Sequence, residues 1–417
     1  MATAVGRHVP GTFWLATSLA ATMVSGTFFQ FALGAFAPQI SRDIALSIAD
    51  IGVVVGVLFA VGAPVSLVAG RLVDRVGARL GLVGILTAAG LATVLAATAE
   101  SRADLLLAVV PASVAMAGCT PVTNRLSSEA ADPGTRNLLV SVAQTGVQLG
   151  AVATGLLALL GPGVGWRTLI ASLLAVILVA AVSGLMARRA DDRQQLVGPG
   201  PVPHTEPQPV PEARGRPADT PGRGIFPVRH LTVFAIVMAL PGGITISYLA
   251  TYAVETVRFS AAVAGSTAIA YGVLALLTRA ALGRLVPPHR DVVKALAVTS
   301  LGGAIAMALL VSAPEIPAMI WFGAALFGMT GLTWPAILMI GVVRNVVPSR
   351  TASTTGLLLG AFYLGLLLGP LGAAALLDRG VGFGLIWMAA AVLYLLALAP
   401  LRMARRRRRL AGGPDGG

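Results

Sequence analysis

Long apolar stretches alternate with short charged intervals along the whole chain, and the length of those stretches sets the first expectation. A helix needs about 20 apolar residues to cross the hydrocarbon core of a bilayer, and a few more if it tilts. Twelve stretches qualify: near 13–38, 51–70, 80–99, 105–126, 138–160 and 167–187, then near 230–254, 261–282, 292–312, 317–343, 351–377 and 382–401. This predicts an all-α integral membrane protein with twelve transmembrane helices in two six-helix bundles. The first stretch is too long for the core of a secretion signal, and no clear cleavage site or soluble domain follows it. It is expected to be retained.

The two sets of six are separated by residues 188–229, rich in proline, glycine and charge, as in Pro199-Gly200-Pro201-Val202-Pro203. Such a composition buries too little apolar surface to order itself and reads as a flexible linker. The expected organisation is a bundle over 1–187, a cytoplasmic linker over 188–229, a second bundle over 230–403 and a basic tail over 404–417. The halves echo one another. Gly70-Arg71-Leu72-Val73 closes the second stretch and Gly283-Arg284-Leu285-Val286 the eighth. The fifth and eleventh carry comparable glycine ladders, Gly146, Gly150 and Gly155 in one and Gly360, Gly365, Gly369 and Gly372 in the other. Two six-helix repeats joined by a linker are the pattern of a secondary transporter.

Composition agrees: 56% of the 417 residues are hydrophobic and 11% charged, against roughly 25% charged in a soluble domain. The net charge of +13 does not indicate a nucleic-acid partner, because the basic residues sit in the gaps between apolar runs rather than on an aromatic-studded face. They fall mostly on one side of the membrane. With a cytoplasmic amino terminus, twenty-four of the thirty lie in inside segments, and Arg42, Arg102, Arg167, Arg258 and Arg379 lie outside. This predicts two cytoplasmic termini in a multi-pass protein of the cytoplasmic membrane. The run Arg405–Arg409, just after the last apolar stretch, reads as a contact with anionic lipid. Cys119 is the single cysteine and the four histidines lie at or outside helix ends, so neither a disulfide framework, a metal site nor an intramembrane catalytic centre is expected. No Walker loop occurs. No cofactor, no enzymatic activity and no soluble output domain are expected, and the protein is expected to work as a monomer.

The turn between the second and third stretches, Gly70-Arg71-Leu72-Val73-Asp74-Arg75-Val76-Gly77-Ala78-Arg79, resembles the G-x-L-x-D-R-x-G-R-R/K loop of the major facilitator superfamily. Gly70, Leu72, Asp74, Arg75, Gly77 and Arg79 match, while Ala78 replaces a usual basic residue. The resemblance covers nearly all of the chain outside the linker and tails. It implies alternating access, with Asp74 latched on the inner side to the start of helix eleven at Ser349-Arg350-Thr351. An aspartate at the membrane boundary needs such a cation or helix N-terminus. Pro287 stands where the second half would carry the aspartate, so the latch is expected to be asymmetric.

Arg279 is the one basic residue placed within a span, where desolvation makes an unpaired charge costly. Its setting, Arg279-Ala280-Ala281-Leu282-Gly283, resembles the R-x-x-x-G of helix eight in monocarboxylate transporters and oxalate/formate antiporters, where the arginine faces an anionic substrate. The alternative is an arginine that braces the nearby loop. Further cavity-lining candidates are Tyr248 and Tyr252, which share a helix face with Glu255, with Gln30, Gln144, Gln148, Thr330, Thr333 and Trp334 on other helices. Pro241-Gly242-Gly243 is expected to interrupt helix seven. Acidic residues are absent from the middle of every stretch, which leaves Glu255 as the candidate proton-coupling group. The stretch from Gln144 to Arg167 resembles carriers grouped loosely with cyanate permeases. The glycine pattern of helix five matches only half of the drug-exporter signature, with Ala151 in place of its proline. The expected function is secondary transport of a small organic solute, an organic anion such as a monocarboxylate, coupled to protons or a counter-substrate. A proton-coupled exporter of drugs or secondary metabolites is the alternative.

Overall fold

The computed structural model describes residues 9–129, 133–161, 163–197, 228–286, 291–345 and 348–410. Among them the first half holds α1 (Val9–Ala35), α2 (Ala37–Asp43), α3 (Ile48–Val76), α4 (Ala78–Ala97), α5 (Arg102–Ser128), α6 (Pro133–Leu160), α7 (Trp166–Ala171) and α8 (Leu173–Val197). The second half holds α9 (Val228–Glu255), α10 (Ala261–Leu285), α11 (Val292–Val311), α12 (Met319–Thr330), α13 (Trp334–Asn345), α14 (Pro348–Leu377), α15 (Phe383–Leu396) and α16 (Leu398–Leu410). The twelve apolar spans are present among them, α7–α8, α12–α13 and α15–α16 each forming one span in two pieces. Residues 198–227 of the expected linker and the segment of the decayed motif at 287–290 lie outside the described residues; 188–197 instead continue α8 and 228–229 begin α9, so the flexible linker expected over 188–229 is corrected at both ends.

Burial separates central from peripheral spans. Some 89% of the apolar stretch in α1 and 78% of that in α9 is buried, against 28% in α7–α8 and 33% in α4. The central helices can therefore carry hydroxyls, because those face protein rather than lipid. On α1, Thr22, Ser25 and Thr27 donate to the carbonyls of Ser18, Ala21 and Met23 one turn back, and Ser18 donates to Ala180 O on α8 at 2.8 Å. Peripheral helices show leucine and valine to the lipid instead, such as Leu80, Leu91, Leu178 and Leu185.

Two expectations about backbone geometry are corrected. The charged turn Gly70–Arg79 is helical up to Val76, and one residue, Gly77 at φ 86°, separates α3 from α4. That left-handed conformation admits glycine and strains other residues. Nor does Pro241-Gly242-Gly243 interrupt its helix. α9 runs unbroken through it, and Gly243 instead lets α14 approach, since a β-carbon there would stand 2.8 Å from Leu366 O and Pro370 Cδ.

The halves are sealed at one face. A β-carbon at Gly34 of α1 would strike the Ile246 carbonyl of α9, and one at Gly155 of α6 would stand 2.7 Å from Ile269 N of α10. Gly52 of α3 admits the Tyr248 ring tip, whose hydroxyl donates to Pro370 O at 3.3 Å. The contacts reach as far as the Phe59–Tyr363 ring pair at 6.1 Å, about half-way along α3, and Phe31–Tyr271 at 6.2 Å. Beyond these, Gly70, Gly356 and Gly360 have no neighbour within 4 Å of a built β-carbon. Among the described residues, the close glycine approaches between the halves all lie toward one face, the closed one, and none joins the halves toward the other, the open one.

Ionic contacts stiffen the closed face of the first half. Asp43 accepts from Trp166 Nε1 at 2.9 Å and from Arg167, which also donates twice to Ala99 O, at 3.0 and 2.6 Å. Arg102 pairs with Asp50 at 2.6 Å, and Asp50 and Asp104 each complete a capping box, with Ser47 and Ser101. The Trp166 hydrogen bond first, then Arg167, holds the exposed Asp43 carboxyl below its ordinary range. A depressed acid contributes stability that is present above its unfolded value, near about 4, and is lost as pH falls through the folded value.

Two outcomes follow. In a Cys119→Ser background carrying Ser247→Cys, Gly34→Val should raise labelling by a membrane-impermeant maleimide several-fold, because the seal can no longer close; unchanged labelling would contradict the close approach. Acid unfolding in detergent should begin at higher pH than in Asp43→Asn once the Asn variant is normalised to its own neutral midpoint. Superimposable profiles would remove Asp43 from the clasp.

Candidate functional site

The seam between α6 and α10 sets the levels of the candidate residues. Gly265 lies against Ala158, and Gly272 against Val152 and Ala151. The helices are antiparallel, so continuing this register toward the open face brings Gln148 to the level of Ala275 and Gln144 to that of Arg279. α1 joins the same region: Gly146 packs on Ala20 and Met23, Gly150 neighbours Thr27, and Phe31 meets Tyr271 of α10 at 6.2 Å. Gln30, half-buried, lies one turn from Gly34 on the same face and so just beneath the seal.

Arg279 is half-buried on α10. Because Cβ atoms tilt toward a helix N-terminus, its side chain leads back toward the middle of the span, not to the nearby loop. Its Nη2 donates to Leu332 O at 3.2 Å, while Nε is buried with no hydrogen-bond partner. Gln148 is 1% exposed and its Oε1 is likewise unpartnered. A donor and an acceptor left unsatisfied in a membrane interior are costly. By helical register Gln148 lies on the face of α6 that carries Ala151, Val152 and Gly155 against α10.

Other candidates are placed elsewhere. Tyr248 belongs to the seal. Tyr252 is fully buried on the far side, its hydroxyl donating to Leu310 O at 2.5 Å and its ring against Phe383 and Trp387. The shared face of these tyrosines packs on Phe383 rather than lining an open cavity, because the helix face that alternates with glycine approach is taken up by α11, α14 and α15. Thr333 donates to Gly328 O, and Trp334 is buried between Phe234 and Phe362, 5.6 Å from each. Glu255 is the exposed last residue of α9 at the closed face. Asp74, Arg75 and Arg79 are exposed at the open face with Gly77 between them, and the side chains of Ser349, Arg350 and Thr351 lie outside the described residues. No group of three or more His, Cys, Asp or Glu side chains that would hold a metal occurs among the described residues.

Sequence reasoning missed the interruption of the tenth span. α12 ends at Thr330 and α13 begins at Trp334. The signal was available in Gly331 and Pro335: proline has no N–H to donate and clashes with the preceding turn. A cleft of about 690 Å³ on the closed face, lined by Gln39, Asp43, Arg167 and Ser260 among others, has its charges already paired.

Comparison with known proteins places these features. The profile of the Major Facilitator Superfamily matches residues 18–370. A 3-(3-hydroxy-phenyl)propionate transporter from Escherichia coli (strain K12) is 33% identical over 105 residues, 25% of this chain and 26% of that protein; the match thus spans about a quarter of the relative. Among solved structures, the nucleoside transporter NupG superposes with a TM-score of 0.68 at 13% identity, over 95% of this chain and 99% of that one. A bacterial homologue of the human lysosomal transporter Spinster, inward-facing and unoccupied, gives 0.66 at 19% identity, over 98% and 100%. The human organic anion transporter MFSD10 gives 0.61 at 17%, over 94% and 99%.

Replacing Gln148 by leucine removes the orphaned acceptor. Gln148→Leu should leave the thermal midpoint unchanged or higher while impairing transport; a lower midpoint with normal transport would make Gln148 structural.

Proposed function

The chain belongs to the major facilitator superfamily and is a membrane transporter of small solutes rather than an enzyme, and we propose that its cargo is a small organic acid held by Arg279. The unpartnered Nε of this guanidinium, at the level of Gln144 and near Gln148, is the observation that carries the reading. An arginine fork pairs with a carboxylate through two parallel hydrogen bonds, a geometry a lysine does not offer. The relative's name supports an aryl-alkyl monocarboxylate as the first cargo to test.

In this account, residues 1–187 and 230–403 rock against one another as a monomer, joined by the segment between them, with the basic tail at 404–417 on the cytoplasmic side. Arginine placement puts both termini in the cytoplasm of a cell whose cytoplasmic membrane holds the protein. The sealed face is then the outer one and the conformation is inward-open. Exposure of Asp74 fits that state, since its latch to the start of α14 belongs to the outward-open one. The acidic residues among the described ones lie at helix ends or in loops, so coupling runs through a counter-substrate or through a proton that travels with the acid, not through a buried carboxylate. Glu255, at the outer loop, serves at most as an entry point for that proton.

Uptake of radiolabelled 3-(3-hydroxyphenyl)propionate into proteoliposomes tests the proposal. A charged hydrogen-bond pair is worth roughly 1.5–3 kcal/mol, so Arg279→Ala should lower uptake by about tenfold or more, and Arg279→Lys should recover only part of it. The acid should also raise the melting point of the purified wild type. Unchanged uptake in Arg279→Ala, or resistance to unrelated lipophilic cations that an uncoupler abolishes, would replace this reading with that of an exporter.

A further inference from the structure

The broken turn between α12 and α13 and the arginine beside it form one mechanical unit. In an unbroken helix the N–H of Ala336 would bond to Leu332 O and that of residue 335 to Gly331 O. Pro335 has no N–H, and Ala336 N–H turns to Thr333 O at 3.1 Å. The Leu332 carbonyl is thereby released from the helix ladder, and Arg279 Nη2 takes it at 3.2 Å. Thr333 Oγ1 bridges the gap to Gly328 O at 3.2 Å. The same guanidinium keeps Nε buried and unpartnered, so it is committed to the turn through one edge and uncommitted on another.

From this arrangement we infer that Arg279 is a positioning residue for transport as well as an anion ligand: it is a strut that holds the α12–α13 turn, and an arriving carboxylate draws the guanidinium away from Leu332 O and frees the turn to bend. A carboxylate carries full charge and two acceptor oxygens, whereas Leu332 offers one neutral carbonyl, so the charged partner wins the fork. Loading the cargo thus unlocks the tenth span, and an empty carrier keeps it braced. The last step rests on the proposed cargo; the strut does not.

Hydrogen–deuterium exchange of the full-length protein in nanodiscs separates the two. Arg279→Gln without ligand should speed exchange of the amides from Leu332 to Ile337 by about fivefold or more, with α1 unchanged as the folding control. Arg279→Lys, which keeps the charge and a donor group but not the planar fork, should fall between it and wild type. Adding 3-(3-hydroxyphenyl)propionate should speed the same amides in wild type and add nothing in Arg279→Gln. Pro335→Ala, which restores the missing N–H, should slow them in every condition. Unchanged exchange in Arg279→Gln overturns the strut. Faster exchange in that variant, together with a wild type that binds the acid by melting shift yet shows no change at the turn, overturns the switch. If no carboxylate binds the wild type, the cargo reading fails and the switch with it, while the ligand-free arm still decides the strut.

Discussion

In hydrocarbon, a polar group without a partner costs several kcal/mol, because no water is present to take its place. The placement of polar side chains in this protein follows from that constraint. Hydroxyls on the central helices are spent on carbonyls of their own helix, as with Thr22, Ser25, Thr27, Ser113 and Thr245. What remains unsatisfied is a short set, and part of it lies where the halves meet: Arg279 Nε and Gln148 Oε1, with the hydroxyls of Ser247 and Thr251 higher on α9. Trp387 Nε1 and Tyr394 Oη are also unpartnered, inside the second half, where Tyr394 stands beside Gly331 of the broken turn. Among the described residues, Ser41 Oγ on α2 is a further exception, and several of the others gather around the seam and the broken turn of the tenth span.

Sealing without a hydrophobic driving force requires close approach of backbones, which is why glycine rather than leucine holds the closed face. Gly34, Gly52, Gly155 and Gly265 sit against backbone or ring atoms of the opposite half, whereas Gly365 and Gly369 knit α14 to α9 within the second half. The glycine ladders therefore do two jobs. One set makes a rigid bundle and the other makes a seam that parts. Glycines toward the open face, such as Gly356 and Gly360, have nothing against them in this conformation and would be used when that face shuts.

The span count, the pairing of halves and the family were legible in the chain because apolar length and a motif at its proper topological position are local properties. The position of Arg279 within a span was legible for the same reason, since one charge inside an apolar run stands out. Local reading failed where tertiary context decides. Pro241-Gly242-Gly243 carries the residues of a helix break, yet Thr245 donates to Pro241 O at 2.8 Å and α14 packs on Gly243, so the helix stays whole. The milder pair Gly331 and Pro335 does break its span: Pro335 has no N–H, Ala336 N–H turns to Thr333 O, and Arg279 takes up the carbonyl of Leu332 that is thereby freed. Tyr248 and Tyr252 share a face as their spacing required, but spacing cannot say whether a face meets a cavity or, as here, Phe383.

The central claim is that an organic acid binds at the guanidinium of Arg279, between α6 and α10. Anomalous diffraction from crystals soaked with a bromine-substituted phenylpropionate tests it most directly. The account predicts bromine density in the region bounded by Gln30, Gln144 and Gln148, with the carboxylate on Arg279 and the Leu332 carbonyl released. Density at the closed-face cleft beside Arg167, or a carboxylate bound in the interior away from Arg279, would contradict it.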